Sequence, residues 1–363
     1  MTTRRDFIKA GTAAAGIFFC GCALLHRARA QQPARQKLPV TVNGKRVKTI
    51  DVHAHCNFHE VGALLGEQGP RIQAGTNVGA QETFIELGQR LAAMDAQAVD
   101  MEILSINTFW YDRERDLAAQ IVKLQNERLA EFCAAHPDRF AAFASLTLQA
   151  PDLAVQELEI AVKKQGLKGA AIGSSVNGVD FSDPKFHPVW AKAEELGVPL
   201  FIHPRGIPEL GKRFAGNGWL DNAIGYPLDT TIALSHLIFE GTLDRFPGLK
   251  IIAAHGGGYL PSSERSDHAC TVQPKGCNPD IKLKKRPTEY LRQLYFDSVV
   301  FTPEALRHLV AQVGAGQVLL GSDSPFPWEF DPVGHVFAST SLSDDEKADI
   351  LGRTAAKLFN LGT

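Results

Sequence analysis

The chain has 363 residues, of which 44% are hydrophobic and 21% are charged, and its formal net charge is −2. This is an ordinary globular composition with enough apolar residues for a large core. A slightly acidic chain without a basic tract is a poor candidate for binding nucleic acid or an anionic membrane surface.

Residues 1–30 have the pattern of an export signal. In chain order they contain Arg4-Arg5, Phe7-Ile8-Lys9, an apolar stretch at 10–25 and the cleavage pattern Ala28-Arg29-Ala30. The paired arginines resemble a twin-arginine signal, and the apolar stretch is short for a membrane span. We expect a periplasmic protein with no membrane span after cleavage. The alternatives are an uncleaved cytoplasmic leader and a lipoprotein acylated at Cys22.

Residues 31–46 are polar and contain two prolines, which predicts an N-terminal tail or a short edge hairpin. From residue 47 onward, short apolar runs alternate with longer helical stretches. The eight predicted strands are 47–55, 99–106, 140–148, 167–173, 198–204, 249–257, 294–300 and 317–325. Most runs are continuously apolar, as expected for strands that are covered on both faces.

The segments between the strands carry apolar residues at three- and four-residue spacing, which is typical of amphipathic helices. The predicted helices are 82–97, 114–136, 152–165, 184–196, 220–245, 303–313 and 343–360. Alternating strands and helices predict an α/β fold, a single-domain (β/α)8 TIM barrel over residues 47–363. The alternative is a doubly wound open sheet, but no glycine-rich phosphate loop follows an early strand. Long insertions are predicted at 56–81, after strand one, and at 261–290, after strand six.

Histidine or aspartate residues stand at the ends of four predicted strands. These residues are His53 and His55 on strand one, His203 on strand five, His255 on strand six and Asp323 on strand eight. A barrel brings the carboxyl ends of its strands to one mouth, where barrel active sites lie. His53 and His55 are separated by one residue, so they face the same side of their strand.

Three imidazoles and a carboxylate suit a borderline divalent ion. We predict one ion, Zn²⁺ first and Mn²⁺ or another ion as alternatives, held by His53, His55, His203 and Asp323. His255 is then free for acid–base chemistry, because its ordinary pKa lets it give or take a proton near neutral pH. The three glycines after His255 are expected to keep that turn open for a substrate.

The motifs around these residues are similar to those of the amidohydrolase superfamily, in the amidohydrolase-2 branch that contains aminocarboxymuconate-semialdehyde decarboxylase. They are Asp51-Val52-His53-Ala54-His55, Leu200-Phe201-Ile202-His203-Pro204, His255-Gly256-Gly257-Gly258-Tyr259-Leu260-Pro261, Leu320-Gly321-Ser322-Asp323-Ser324-Pro325-Phe326-Pro327 and Ala355-Ala356-Lys357-Leu358-Phe359. The resemblance covers nearly all of the chain after the export signal.

The resemblance implies the same four metal ligands, with His255 as the proton shuttle and Asp323 in the catalytic centre. It also implies that Arg265 binds a substrate carboxylate, that Phe326 lines the substrate pocket, and that the protein is a homodimer. Arg205 stands where the decarboxylase has an aromatic residue. Two interpretations remain for Arg205, as a site for an anionic substrate or as a surface arginine.

The end of strand four contains no lysine of the kind that bridges two metals in binuclear members of the superfamily; it reads Ala171-Ile172-Gly173-Ser174-Ser175. One metal is therefore expected. The main hypothesis is a mononuclear metal-dependent decarboxylase, a carbon–carbon lyase that acts on a small conjugated or aromatic carboxylate. The alternative is a metal-hydroxide hydrolase of a lactone, ester or amide.

Four cysteines follow the predicted signal, and none forms a C-x-x-C pair, so a zinc ribbon and a thioredoxin-type redox motif are not supported. Cys270 and Cys277 lie close together in a polar segment. In an oxidising compartment these two would be able to form a disulfide.

Overall fold

The computed structural model describes residues 39–58, 60–66, 87–216, 218–273 and 277–362. The predicted export signal, the first part of the predicted tail, residues 59 and 67–81 of the first predicted insertion, residues 82–86 of the first predicted helix and residues 274–276 of the second predicted insertion lie outside the described residues. No helix in the described part of the chain combines the length and apolarity needed to cross a bilayer.

The described chain contains ten strands. Two short ones, β1 (Thr41–Val42) and β2 (Lys45–Arg46), form an antiparallel hairpin in the segment predicted as a tail or hairpin. The others are β3 (Ile50–His55), β4 (Met101–Ser105), β5 (Phe140–Ala142), β6 (Ala170–Ile172), β7 (Pro199–Ile202), β8 (Lys250–Ala253), β9 (Leu294–Asp297) and β10 (Val318–Leu319). Each of β3 to β10 lies inside one of the eight predicted runs and is shorter than the prediction.

All pairing among β3 to β10 is parallel. One sheet has the order β3-β4-β5, and the other has the order β10-β9-β8-β7-β6. Single parallel bridges link the two sheets at both edges, from Ala54 to Ser324 and from Ala144 to Ala170. Sequential order and parallel direction place all eight carboxyl ends on the same side of the sheets.

The helices begin and end close to the predicted positions, with some differences. Those that were predicted are Leu87–Ala96, Arg115–Ala135, Pro151–Lys163, His187–Leu196, Tyr226–Phe239, Thr242–Arg245, Pro303–Val313, Asp344–Ala348 and Thr354–Phe359. The stretch predicted as one helix at 220–245 is divided, because Gly241 adopts a left-handed φ of 73°. Additional helices are Val61–Leu65, Gly211–Phe214, Arg265–Val272 and Pro332–Ala338.

The strands bury side chains on both faces, which explains their continuous apolar runs. An inner cluster contains Ile50, Val52, Ile103 and Phe201, and the C-terminal helix adds Phe359 to it. A larger cluster packs the outer strand faces against the surrounding helices. The apolar inner cluster supports the strands beneath their carboxyl ends.

Candidate metal centre

Four strand ends bring imidazole and carboxylate groups together, as the sequence predicted. Ligand atoms of His53, His203, His255 and Asp323 all lie within 4.8 Å of one another. His55 belongs to the same group, because its Nε2 is 3.1 Å from Nε2 of His53 and 2.9 Å from Oδ1 of Asp323. A third short distance, 3.1 Å, joins Nε2 of His53 to the same Oδ1. Donors bound at about 2.1 Å to one ion stand about 3 Å apart, so this spacing fits a metal site.

Three imidazoles present the same nitrogen to the centre of the cluster. Nδ1 of His53 donates to Oδ2 of Asp297 at 2.6 Å, and Nδ1 of His203 donates to the carbonyl of Pro204 at 3.0 Å. Nδ1 of His55 donates to Oγ of Ser105 at 3.0 Å. In a neutral imidazole, an N–H group at Nδ1 leaves Nε2 unprotonated and available to an ion. These three histidines therefore have the arrangement of metal ligands.

His255 differs from these three histidines. Its Nε2 is 3.4 Å from Oδ2 of Asp323, and its buried Nδ1 has no hydrogen-bond partner among the described residues. No hydrogen bond at Nδ1 from a described residue fixes the tautomer of this imidazole. By distance alone, His255 could be a ligand in place of His55. The hydrogen bond between Nδ1 of His55 and Ser105 favours His55 as the ligand, because Nδ1 of His255 has no such partner.

Asp297, at the end of β9, organises two of the site histidines. Its carboxylate accepts a hydrogen bond from His53. It also accepts hydrogen bonds from the backbone N–H groups of His255 at 2.9 Å, Gly256 at 2.8 Å and Val299 at 3.0 Å. The side chain is fully buried. Sequence reasoning missed Asp297, although a carboxylate inside the apolar run 294–300 was an available signal.

Burial and neighbouring charges shift the pKa values of the cluster in different directions. Burial lowers the pKa of His55 to about 4 and holds the pKa of His203 well below its usual value. Burial acts in the same direction on His53, but the carboxylates of Asp323 and Asp297 outweigh it and raise its pKa to about 10. Burial opposes ionisation of Asp323, yet the neighbouring imidazoles keep its pKa well below the ordinary value. His55 and His203 are therefore neutral donors beside the ionised Asp323, whereas the raised pKa of His53 means that this imidazole must release a proton when a divalent cation binds.

Buried charges also hold the end of β3 in place, and sequence reasoning missed them. The carboxylate of Asp51 accepts from the backbone N–H of His53 at 2.9 Å and from the hydroxyl and N–H of Ser322. Arg90 donates to Glu102 at 2.6 Å and to the carbonyl of His55 at 2.7 Å. These contacts tie the His53-Ala54-His55 segment to β4, to the strand-eight loop and to the helix that contains Arg90.

The predicted substrate residues occupy different positions. The ring of Phe326 packs edge-on to His55, with 5.4 Å between ring centroids, so Phe326 lies beside the cluster. Arg205 follows His203 at the end of β7, and its guanidinium lies over the ring of Tyr111 at 5.0 Å. Arg265 is exposed at the first residue of its helix, and no ion pair joins it to another described residue.

The glycines after His255 pack closely, contrary to the expectation of an open turn. A Cβ atom at Gly256 would lie 2.4 Å from Val300, and one at Gly258 would lie 2.0 Å from the carbonyl of Pro227. The three glycines also have φ values between 61° and 76°, which favour glycine. They are needed for a tight turn that fixes His255 rather than for substrate access.

Parallel strands that end in a shared imidazole and carboxylate cluster define a metal-binding α/β protein. Residues 50–361 match the family described as Amidohydrolase. The chain belongs to this family.

Three relatives indicate the branch. The chain is 33% identical to 2-amino-3-carboxymuconate-6-semialdehyde decarboxylase of Dictyostelium discoideum, over 75% of this chain and 76% of the relative. It is 31% identical to gamma-resorcylate decarboxylase of Rhizobium radiobacter, over 75% of this chain and 86% of the relative. A dihydroxybenzoic acid decarboxylase from Polaromonas sp. JS666, solved with manganese and the inhibitor 2-nitroresorcinol, has a TM-score of 0.74 and 26% identity, covering 86% of this chain and 97% of the other.

The resemblance to the amidohydrolase-2 decarboxylases is confirmed by these comparisons. All three relatives are decarboxylases, which are carbon–carbon lyases. A divalent metal site is supported both by the His and Asp cluster and by the manganese in the Polaromonas structure.

Proposed function

We propose that this protein is a metal-dependent decarboxylase that releases carbon dioxide from a small aromatic or conjugated carboxylate. The observation that carries the proposal is the convergence of His53, His55, His203 and Asp323 beside a separate histidine, His255. The decarboxylase relatives favour this function over the hydrolase alternative.

The proposed ligands are the Nε2 atoms of His53, His55 and His203 and the carboxylate of Asp323. When bound, a divalent ion supplies positive charge that orients the substrate oxygens and stabilises the electron-rich intermediate. Both Zn²⁺ and Mn²⁺ suit this donor set. The carboxyl end of β6 provides no lysine, which supports one ion rather than two.

His255 is proposed to supply the proton that replaces the lost carboxylate. The bond between the ring carbon and the carboxylate carbon breaks, carbon dioxide leaves, and the carbon takes a proton from the imidazole. Asp297 holds the backbone of His255, and Asp323 lies next to its Nε2. Phe326 forms one wall of the substrate pocket beside His55.

We infer that β3 to β10 close into a (β/α)8 barrel, with insertions at 56–81 and 261–290 after its first and sixth strands. Support comes from the bridges at both sheet edges and from the similarity to the Polaromonas decarboxylase. Closure places the metal ligands around one mouth.

We also propose that the protein is exported to the periplasm by its twin-arginine segment. The bond between Cys270 and Cys277 supports this location, because disulfides persist in oxidising compartments. A homodimer is proposed from the family resemblance, with Arg265 free to contact a substrate carboxylate. Cell fractionation and light scattering of the purified protein test location and assembly.

The function is tested by incubating the purified, metal-loaded protein with 2,6-dihydroxybenzoate, with a panel of other aromatic carboxylates, and with a panel of lactones and esters. Headspace carbon dioxide and product identity are measured, with chelator-treated protein as the control. We expect carbon dioxide and the ring product in equal amounts from at least one carboxylate. Hydrolysis of lactones or esters, with no carbon dioxide from any carboxylate, would contradict the proposal.

A further inference from the structure

The loops after β7 and β10 both begin at proposed metal ligands. His203 directly follows β7, and Asp323 follows β10. In the sheet, these two strands are separated by β8 and β9. A contact between the two loops therefore spans the ends of two other strands, which lead to His255 and carry Asp297.

The loop after β7 lies on the surface of the protein. Residues 205–216 and 218–224 form a flap in which no residue is buried. At its start, the N–H groups of Arg205 and Gly206 donate to Oδ2 of Asp229 at 2.9 and 3.0 Å, and Gly225, which follows the flap, is buried. The flap is therefore attached at both ends, whereas its middle is not held by the core and has low local stability.

Trp219 joins the middle of the flap to the loop after β10. Its ring stands edge-on to the ring of Trp328, with 5.4 Å between centroids and an interplanar angle of 89°. Aromatic pairs prefer this arrangement, and one such pair favours the joined state by about two- to tenfold. The side chain of Trp219 is still 55% exposed, so the contact buries little of it. This contact is strong enough to hold the flap and weak enough to release it.

Trp328 is itself held beside the metal cluster. Its N–H donates to the carbonyl of Phe326 at 2.9 Å, and the N–H of Phe326 donates to the carbonyl of Asp323 at 2.9 Å. The ring of Phe326 packs edge-on to His55. Trp328 therefore provides a fixed point near the cluster, to which the flap is joined.

The cluster is accessible on the side where the flap begins. His53, His55 and Asp323 are buried, whereas His203 and His255 are partly exposed. Among the described residues, solvent therefore reaches the cluster from the ends of β7 and β8. The flap starts at the first of these ends and passes to the loop after β10.

Resting on the proposed metal site, we propose that the flap is a gate over this site and that Trp219 holds it closed against Trp328. The closed flap limits the access of solvent and solutes to the ion, and the released flap lets substrate enter and product leave. In a decarboxylase, closure would also keep bulk water from the electron-rich intermediate until His255 donates its proton.

The test is the rate at which excess EDTA removes Zn²⁺ from the full-length, zinc-loaded protein. Trp219→Ala and Trp328→Ala should each raise this rate by about two- to tenfold, because each removes the contact that holds the flap. The equilibrium affinity for Zn²⁺ should stay within about twofold of the wild type, because a gate that opens more often speeds entry as much as exit. The matched control is Phe330→Ala, which removes an exposed aromatic ring from the same loop as Trp328 and should leave the rate unchanged.

The double variant tests whether the two rings act together. If they do, Trp219→Ala combined with Trp328→Ala should release zinc no faster than either single variant. Trp219→Phe keeps an aromatic ring and should stay closer to the wild type than Trp219→Ala.

Trypsin provides a measurement that needs no metal. Lys212 and Arg213 are exposed in the flap, and cleavage after either requires this segment to leave its folded position. Trp328→Ala lies outside the flap, yet it should raise the rate of cleavage at these residues by about two- to tenfold. Phe330→Ala should not.

Wild-type rates of zinc removal in both single variants, or additive effects in the double variant, would overturn the inference. An unchanged rate of cleavage in Trp328→Ala would overturn it as well. If the protein holds no Zn²⁺, the proposed metal site is wrong and the cleavage rates alone decide whether the flap is held by the two rings. Carbon dioxide release is measured separately, and its absence would contradict only the proposed function.

Discussion

The two ends of the parallel strands contain different kinds of residues. At the start of β3, Ile50 packs into an apolar cluster that the C-terminal helix completes with Phe359. At the end of the same strand, His53 and His55 contact Asp323 through their ring nitrogens. The apolar end stabilises the fold, whereas the end that buries charged groups at an energetic cost is where we propose that the chemistry takes place. Substitutions at the two ends should therefore change different measured quantities.

The largest effect is expected from Asp323→Ala, because this carboxylate contacts three of the site imidazoles. Metal content and carbon dioxide release should both fall below detection, while the folded protein remains. Elemental analysis and a turnover assay check this result. The control is Asp345→Ala, which removes an exposed carboxylate. If Asp323→Ala retains its metal and its turnover, the metal site is not at the carboxyl ends of the strands as proposed.

The second-largest effect is expected from a substitution of His255, which is proposed to be the proton donor and not a metal ligand. His255→Gln should lower kcat by about 10²- to 10⁴-fold, which is the usual contribution of a general acid. Metal content should stay at the wild-type level, because the three ligand imidazoles are unchanged. If His255→Gln loses its metal along with its activity, His255 is a ligand and not the proton donor.

Phe359→Ala tests the opposite end of the strands. Phe359 is 4% exposed and packs edge-on to Phe143, with 5.6 Å between centroids. Truncation should lower the free energy of unfolding by about 3–5 kcal/mol, the typical cost for a buried phenylalanine. Urea unfolding measures the loss. Turnover per folded molecule should stay within about twofold of the wild type, and a much larger fall in turnover would break the proposed separation of the two ends.

The smallest effect is expected from Asp297→Asn. The amide keeps the shape of the side chain but removes its charge and replaces one accepting oxygen with an NH2 group, which weakens the hydrogen bonds from Nδ1 of His53 and from the backbone N–H groups. Metal affinity should fall by about 10- to 100-fold, as is typical when a partner of a ligating histidine is changed. Competition with a fluorescent chelator measures the affinity. Wild-type affinity would mean that Asp297 does not help to hold the ligand set.

Much of the fold could be predicted from the sequence, because each buried parallel strand leaves a continuous apolar run. The strand-end histidines and Asp323 could be predicted for a related reason, since parallel strands in sequential order have their carboxyl ends on the same side. The contacts of Asp297, Ser105 and Tyr111 could not be predicted, because they depend on which neighbouring strands and loops approach within a few ångströms. The packing of Gly256–Gly258 was misjudged for the same reason: spacing along the chain does not show which atoms crowd a turn.

The most direct test of the single-metal site is an anomalous-scattering map of the crystallised, metal-loaded protein. The account predicts one peak, within about 2.3 Å of Nε2 of His53, His55 and His203 and of a carboxylate oxygen of Asp323. Nε2 of His255 should lie outside the coordination sphere. Two peaks, or one peak bound by His255 in place of His55, would contradict the account.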